Sequence, residues 1–418
     1  MRGESIIALL KRSWRGKVVE NYFSMTFLQG ASLIIGLLLY PYLIRVLGKE
    51  SYGVYVFIFS NIQFFAIFIS FGFDYPALKK ISLHPNNNQI KSQTVSEVFT
   101  AKTCLFALCA AILALLIFAI PFVHKNAVLY IIIFTTLSIE ILFPSWYFQG
   151  IQKMKFVTYV NLTLRILSIP LIFIFIKSSA DLLKYTLIIT LLPVLGSIFT
   201  FVYLQVKEKI RIRFVKFASL KPVCADALPF FLTSMLGTAK AEMVTFIIGT
   251  FFSMESVALY DLANKIITVP RMITKNINTA LFPKIVKDYN VKMVKRIIRY
   301  EKTIGLIISI LIITLGYWAV LILGGKTMLA AYPLAVILSF TIYAWLIVGC
   351  YINLLFVPQH KYYFVTKNQL AALVSFLLLT AIGLLISKNI IIFVSAYVLS
   401  HVVEIIYCRY LIKKHQLL

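Results

Sequence analysis

Of the 418 residues, 61% are hydrophobic and only 13% are charged. The mean hydropathy is +0.91, and 41 Lys and Arg against 15 Asp and Glu give a net charge of +26. A chain this apolar is neither a soluble enzyme nor a disordered tail, and its basic residues lie in short segments between apolar runs rather than on one nucleic-acid-binding face. The composition is that of an all-α polytopic membrane protein.

Twelve apolar runs follow one another at about 22–43, 52–73, 99–122, 128–148, 156–176, 182–206, 228–252, 256–282, 303–324, 332–357, 368–386 and 390–411. Each approaches the ~20 residues a helix needs to cross hydrocarbon. The longest connection, about 74–98, is too short for an independent catalytic domain. With the N-terminus in the cytoplasm, 29 of the 41 Lys and Arg fall in inside segments, 7 in outside loops and 5 within spans. That asymmetry is the positive-inside pattern, so both ends are expected to be cytoplasmic, with the basic loops against anionic lipid. The first 21 residues are basic but lack a short apolar core with a cleavage site, so the first span reads as an uncleaved anchor. Cys104, Cys109, Cys224, Cys350 and Cys408 show no metal-ligand spacing, and neither a disulfide nor a metal site is expected.

The polar residues inside these runs carry the functional reading. Glu140 lies within the fourth span. In the fifth, Thr158, Asn161, Arg165 and Ser168 form one stripe. Residues 207–221 form a basic linker, read as a surface segment with a short amphipathic helix over Ile210, Ile212, Phe214, Val215 and Phe217. The seventh span holds Lys240 and Glu242, which point roughly 200° apart on a helix and are not expected to pair. In the eighth, Asp261, Asn264, Thr268, Arg271, Lys275 and Asn278 step by three or four and share one face, with Lys265 placed to pair with Asp261. His401 and Glu404 are neighbours in the last span. Charges at mid-bilayer are costly and normally face a bundle interior or a wet path. The embedded cations Arg165, Lys240, Lys265, Arg271 and Lys275 therefore suit an anionic cargo, unless ion pairing and snorkelling to the surface account for Lys265 and Lys275. Glu140, Glu242, Asp261, His401 and Glu404 are candidates for ion or proton coupling.

Glu50-Ser51-Tyr52-Gly53-Val54-Tyr55 opens the second span and Glu255-Ser256-Val257-Ala258-Leu259-Tyr260 the eighth, an offset of 205, close to half the length. This implies two parallel six-helix lobes, 1–206 and 228–418, joined by a cytoplasmic linker at 207–227 and related by a pseudo-twofold axis along the membrane normal. Phosphate-cradling Gly loops, H-E-x-x-H and G-x-S-x-G are all absent, so no catalytic activity or cofactor is expected and no ATP would drive transport.

Two segments carry a family likeness. Tyr40-Pro41-Tyr42-Leu43-Ile44-Arg45-Val46-Leu47-Gly48-Lys49-Glu50-Ser51-Tyr52-Gly53 joins spans one and two, and Trp146-Tyr147-Phe148-Gln149-Gly150-Ile151-Gln152-Lys153-Met154 leaves span four. Together with Gln29-Gly30 they resemble the Wzx-type polysaccharide flippases. These are O-antigen transporters within the multidrug/oligosaccharidyl-lipid/polysaccharide exporter superfamily. Gln152 stands where such proteins usually have an acid. The resemblance implies a bacterial inner-membrane protein that moves undecaprenyl-diphosphate-linked oligosaccharide from the cytoplasmic to the periplasmic leaflet by alternating access. Its partners would be membrane lipids, the polysaccharide polymerase and the chain-length regulator, with no nucleic acid. Arg165, Lys240, Lys265, Arg271 and Lys275 would then offset the diphosphate, and Gln29, Asn61, Gln63, Asn161, Asn264 and Thr268 could contact sugar. The alternatives are a cation-coupled multidrug exporter of the same superfamily and, in a different class, a membrane-bound polysaccharide polymerase or ligase.

Overall fold

The computed structural model describes the backbone of residues 6–287, 291–359 and 361–417, and the side chains from residue 24 onward except those of 273, 275–293, 360, 362 and 418. The described residues are helical apart from the connections between helices, and include no strands. In order the helices are α1 (Ile6–Ser70), α2 (Asp74–Leu83), α3 (Asn88–Ala119), α4 (Pro121–Lys125), α5 (Ala127–Thr135), α6 (Ile139–Leu142), α7 (Ser145–Gly150), α8 (Met154–Phe175), α9 (Leu182–Val206), α10 (Phe217–Phe251), α11 (Met254–Lys287), α12 (Val291–Gly324), α13 (Ala331–Tyr351), α14 (Tyr362–Ile386) and α15 (Ile390–Lys414).

Among the described residues, ten helical stretches are long and apolar enough to cross a membrane. The difference from the twelve runs of the sequence has two physical sources. The first stretch, Ser24–Ser70, is 47 residues long. At 1.5 Å per residue it would reach about 70 Å, more than twice the thickness of a bilayer's hydrocarbon. It is two helices joined at Gly48, whose φ of 76° and ψ of 161° are not helical. The second source is α11, which is not among the ten because Asp261, Lys265, Arg271 and Lys275 interrupt its apolar surface.

The chain divides into two compact units, Met1–Leu39 with Ile62–Phe231, and Tyr40–Asn61 with Leu232–Leu418. These bounds differ from a simple cut between halves, because residues 40–61 pack with the C-terminal unit. The two copies of the repeated motif meet there. Lys49 pairs with Glu255 at 2.7 Å, and a Cβ on Gly53 would stand 1.8 Å from the Met254 carbonyl oxygen. Alanine normally favours a helix by ~1 kcal/mol over glycine. Gly53→Ala is nevertheless expected to cost at least about 2 kcal/mol, because backbone rather than a flexible side chain must yield. Thermal unfolding of purified protein in detergent reads the sign; a stabilised variant would mean that the two motifs do not touch.

In the first unit, Trp146, Tyr147 and Phe148 fill a core with Phe73, Ile81, Val95, Val98 and Leu204. Gly150 lets this turn seat against α2, since a Cβ there would lie 2.7 Å from Ile81 Cγ2. The expected amphipathic helix over 210–217 does not form: the chain turns at Lys207 and Glu208, and residues 210–216 are irregular until α10 begins at Phe217. The backbone N–H groups of Arg211, Arg213 and Val215 donate to the hydroxyls of Ser92, Ser96 and Thr100 on α3 at 3.2, 3.1 and 3.1 Å. The spacings agree: four helical residues rise about 6 Å, and two extended residues advance about 6.6 Å. Ile210-Arg211-Ile212-Arg213-Phe214 alternates with period two, which is the pattern of an extended segment rather than a helix.

Candidate functional site

The second unit contains a cavity of about 610 Å³ lined from α10, α11, α13, α14 and α15. α10 contributes Lys240, which is 7% exposed. Its Nζ lies 3.8 Å from Glu404 Oε2 on α15 and 5.6 Å above the Tyr397 ring. Asn368 on α14 donates to the other oxygen of Glu404 at 3.3 Å. Arg271, from the polar face of α11, donates through Nη2 to the buried Thr341 hydroxyl on α13. His401 donates from Nδ1 to the Tyr397 carbonyl at 3.0 Å and stands edge-on to that ring, so its Nε2 is left as the acceptor nitrogen.

Several polar atoms here lack partners. Lys240 Nζ, Arg271 Nε, Asn368 Oδ1 and Gln369 Oε1 are buried without a hydrogen bond. Buried donors and acceptors are nearly always satisfied, and leaving one unmade costs about 1–3 kcal/mol. Three of these atoms, on Lys240, Arg271 and Gln369, belong to residues that line the cavity, and they mark a surface built to receive a polar ligand. Two basic side chains against one carboxylate give the lining an anion preference, and Arg adds a fork that matches phosphate oxygens.

The structure thus brings together Lys240, Arg271, His401 and Glu404 from the sequence-read candidates. Lys265 is engaged elsewhere: it bonds Asp261 and, at 3.1 Å, the Tyr52 hydroxyl, with its ammonium 4.8 Å from the Tyr40 ring. That is the internal pairing its spacing allowed. Asn264 is half-buried, and Thr268 is exposed and donates to the Asn264 carbonyl. Arg165 is exposed on α8 in the first unit, where Asn161 donates to the Val157 carbonyl at 2.9 Å. Gln29 is exposed, and Asn61 and Gln63 are half-buried on α1. The Lys275 side chain lies outside the described residues. None of the others lines the cavity.

The acids divide in the same way. Glu242 accepts from the Ser60 hydroxyl at 2.7 Å rather than meeting Lys240, as its position around the helix required. Glu140 lies beside Lys102 in the first unit, its carboxylate 3.6 Å from Nζ. Glu404, read as a neighbour of His401, instead bridges Lys240 and Asn368. Sequence reasoning missed Thr341, Asn353, Asn368, Gln369 and Tyr397. A polar residue alone in an apolar run was the available signal for Thr341, whereas Asn368 and Gln369 open their span and read as its polar boundary.

The lipid II flippase MurJ, in an inward closed conformation, matches this fold with a TM-score of 0.70, covering 94% of this chain and 87% of MurJ at 15% identity. An inward-facing multidrug resistance MATE family transporter of the MOP superfamily matches with a TM-score of 0.72, covering 92% and 94% at 13% identity. The fold is that of the MurJ and MATE class of membrane transport proteins. The sequence pattern of the polysaccharide biosynthesis protein family matches residues 18–288, and the chain belongs to that family. Proteins named as O-antigen transporters, from Escherichia coli strain K12 and Shigella dysenteriae, are each 23% identical to it, over 285 and 314 residues. The matches cover 68% and 73% of this chain and 69% and 78% of theirs. None of these relatives or neighbours is named as an enzyme.

Proposed function

We propose that this chain is a flippase for undecaprenyl-diphosphate-linked polysaccharide repeat units, moving them from the cytoplasmic to the periplasmic leaflet of the bacterial inner membrane by alternating access. The observation that carries this reading is the placement of Lys240 and Arg271 in one cavity beside buried polar atoms without partners. A diphosphate bearing sugars is anionic and polar and cannot cross hydrocarbon alone. Lys240 and Arg271 replace part of the hydration it loses, and Asn353 and Gln369 meet hydroxyls. A cavity of about 610 Å³ falls in the range that holds a compact polar ligand. It has no room for a long isoprenoid tail, which remains in the bilayer. The names of the relatives and of the MurJ neighbour support the same class of cargo.

In this reading the chain crosses the membrane twelve times with both ends cytoplasmic. Residues 1–206 and 228–418 form two six-helix lobes joined at 207–227, and the polymerase and chain-length regulator act downstream. A drug exporter for cations fits the likeness to MATE proteins but not the cavity, where among the described lining residues the one acid, Glu404, already faces Lys240. The test is complementation: expression in a strain lacking its O-antigen flippase is expected to restore the polysaccharide ladder on a gel. A correctly inserted protein that restores nothing, even with its native repeat unit supplied, would exclude this cargo.

A further inference from the structure

α12 turns one narrow face to its unit. Glu301, Gly305, Ser309, Ile312 and Gly316 follow at three- and four-residue steps and are buried, while Leu306, Ile307, Ile310 and Leu311 between them are exposed. The buried face meets α13 at close range. A Cβ on Gly305 would lie 3.1 Å from Tyr343 Cα, and Ser309 donates to the Ser339 carbonyl at 3.3 Å.

Glu301 is out of place on that face. It is 3% exposed, and its Oε2 is buried without a hydrogen-bond partner. Among the described residues no Lys, Arg or His pairs with it. On α13, Tyr343 lies against Gly305, one turn beyond Glu301, and Cys350 is buried in the same cluster as Ile297 and Ile298, one turn before it. On α12 itself, Lys295, Arg296 and Arg299 are exposed and Lys302 is half-buried. α11 also packs on α12; of its described charges Glu255 pairs with Lys49, Asp261 with Lys265, and Arg271 is turned to Thr341, while its side chains from 275 to 287 are outside the described set. An unpaired carboxylate in such surroundings is costly as an anion, whereas the neutral acid can be accommodated.

We propose that Glu301 is a proton-binding site whose occupancy holds the seam between α12 and α13 closed, and that loss of the proton opens the seam. One proton is returned to water on opening and taken up again on closing. The site is placed to act on the cavity. The opposite face of α13, at Trp345, Val348, Gly349 and Ile352, lines that cavity, and α13 passes into a π-helical stretch, Ile352–Phe356, just beyond Cys350. Such stretches mark points where a helix readily changes register. This inference goes beyond the cargo reading and stands whether or not complementation succeeds.

The test uses the full chain in detergent with Cys350 as its single cysteine, alkylated by N-ethylmaleimide across a range of pH. The thiolate fraction rises tenfold per pH unit, and an open population released by one proton adds a second tenfold. Labelling is therefore expected to climb about 100-fold per pH unit where Glu301 titrates, and only about tenfold in Glu301→Gln. A seam that stays closed predicts the opposite sign, since a new carboxylate charge suppresses the thiolate beside it. Slopes that are equal, or lower with Glu301 present, overturn the proposal. Should Glu301→Gln fail to fold, a chain keeping only Cys109, buried in α3, supplies the reference slope; a parallel rise at Cys350 and Cys109 overturns the proposal equally.

Discussion

Arg271→Ala, inserted at the wild-type level, is expected to abolish surface polysaccharide. Among the described residues its guanidinium is held by a bond to Thr341, which leaves Nε for a ligand. Hydrogen bonds to a charged group contribute about 1.5–3 kcal/mol each, so losing a bidentate pair to phosphate lowers transport about 100-fold or more. Arg271→Lys separates charge from geometry. It keeps the cation but not the planar fork, and an intermediate polysaccharide level is expected, below wild type and above Arg271→Ala. Ladder intensity at matched expression decides. A normal ladder from Arg271→Ala would remove the residue from the mechanism, and equal ladders from the Lys and Arg forms would show that only charge matters. Lys240 makes a useful contrast because it is already opposite Glu404. Lys240→Met leaves a half-buried carboxylate with Asn368 alone, so its loss of transport is confounded by loss of stability in a way that Arg271→Ala is not.

What could be read from the sequence follows from how local each signal is. Apolar runs long enough to span a bilayer are local, and so is the polar face of α11, whose members lie on one helix; the structure has the helices, and that face from Asp261 to Arg271 among the described residues. The cavity is not local. Lys240 meets Glu404, and Arg271 meets Thr341 seventy positions away, through packing that no periodicity in one segment encodes. The same distinction explains the linker. Its basic and apolar residues suggested an amphipathic helix, but the period-two alternation matched the Ser92, Ser96 and Thr100 hydroxyls of a helix over 110 residues earlier. Glu301 was hidden by its neighbours, since Arg296, Arg299 and Lys302 make it look like one charge in a cytoplasmic cluster. Lys102 was hidden likewise: it falls near the start of the third span and counts as an inside charge, yet it is 2% exposed.

Lys102→Met is expected to destabilise the first unit by about 3 kcal/mol. Lys102 Nζ donates to Asp74 Oδ1 at 2.8 Å and to the Glu140 carbonyl at 3.1 Å, with the Glu140 carboxylate at 3.6 Å, and so ties α2, α3 and α6 together. The carbonyl bond has a cause in the chain itself. In a continuing helix the Glu140 carbonyl would accept from residue 144, but that residue is proline and has no N–H. Lys102 supplies the missing donor. Removing it leaves two carboxylates without their cation and one carbonyl without a partner. Breaking a buried ion pair costs about 3–5 kcal/mol, and because Asp74 and Glu140 are 36% and 39% exposed, water recovers part of that, which places the cost at the lower end. Adding Asp74→Asn and Glu140→Gln to Lys102→Met is expected to restore some stability by removing the stranded charges, though not all of it, since the carbonyl remains unpaired. Unfolding in detergent, followed for the single and triple variants, distinguishes the two contributions. A single variant as stable as wild type would mean that this lysine does not hold the three helices together, and Glu140 would return to consideration as an ion-coupling group.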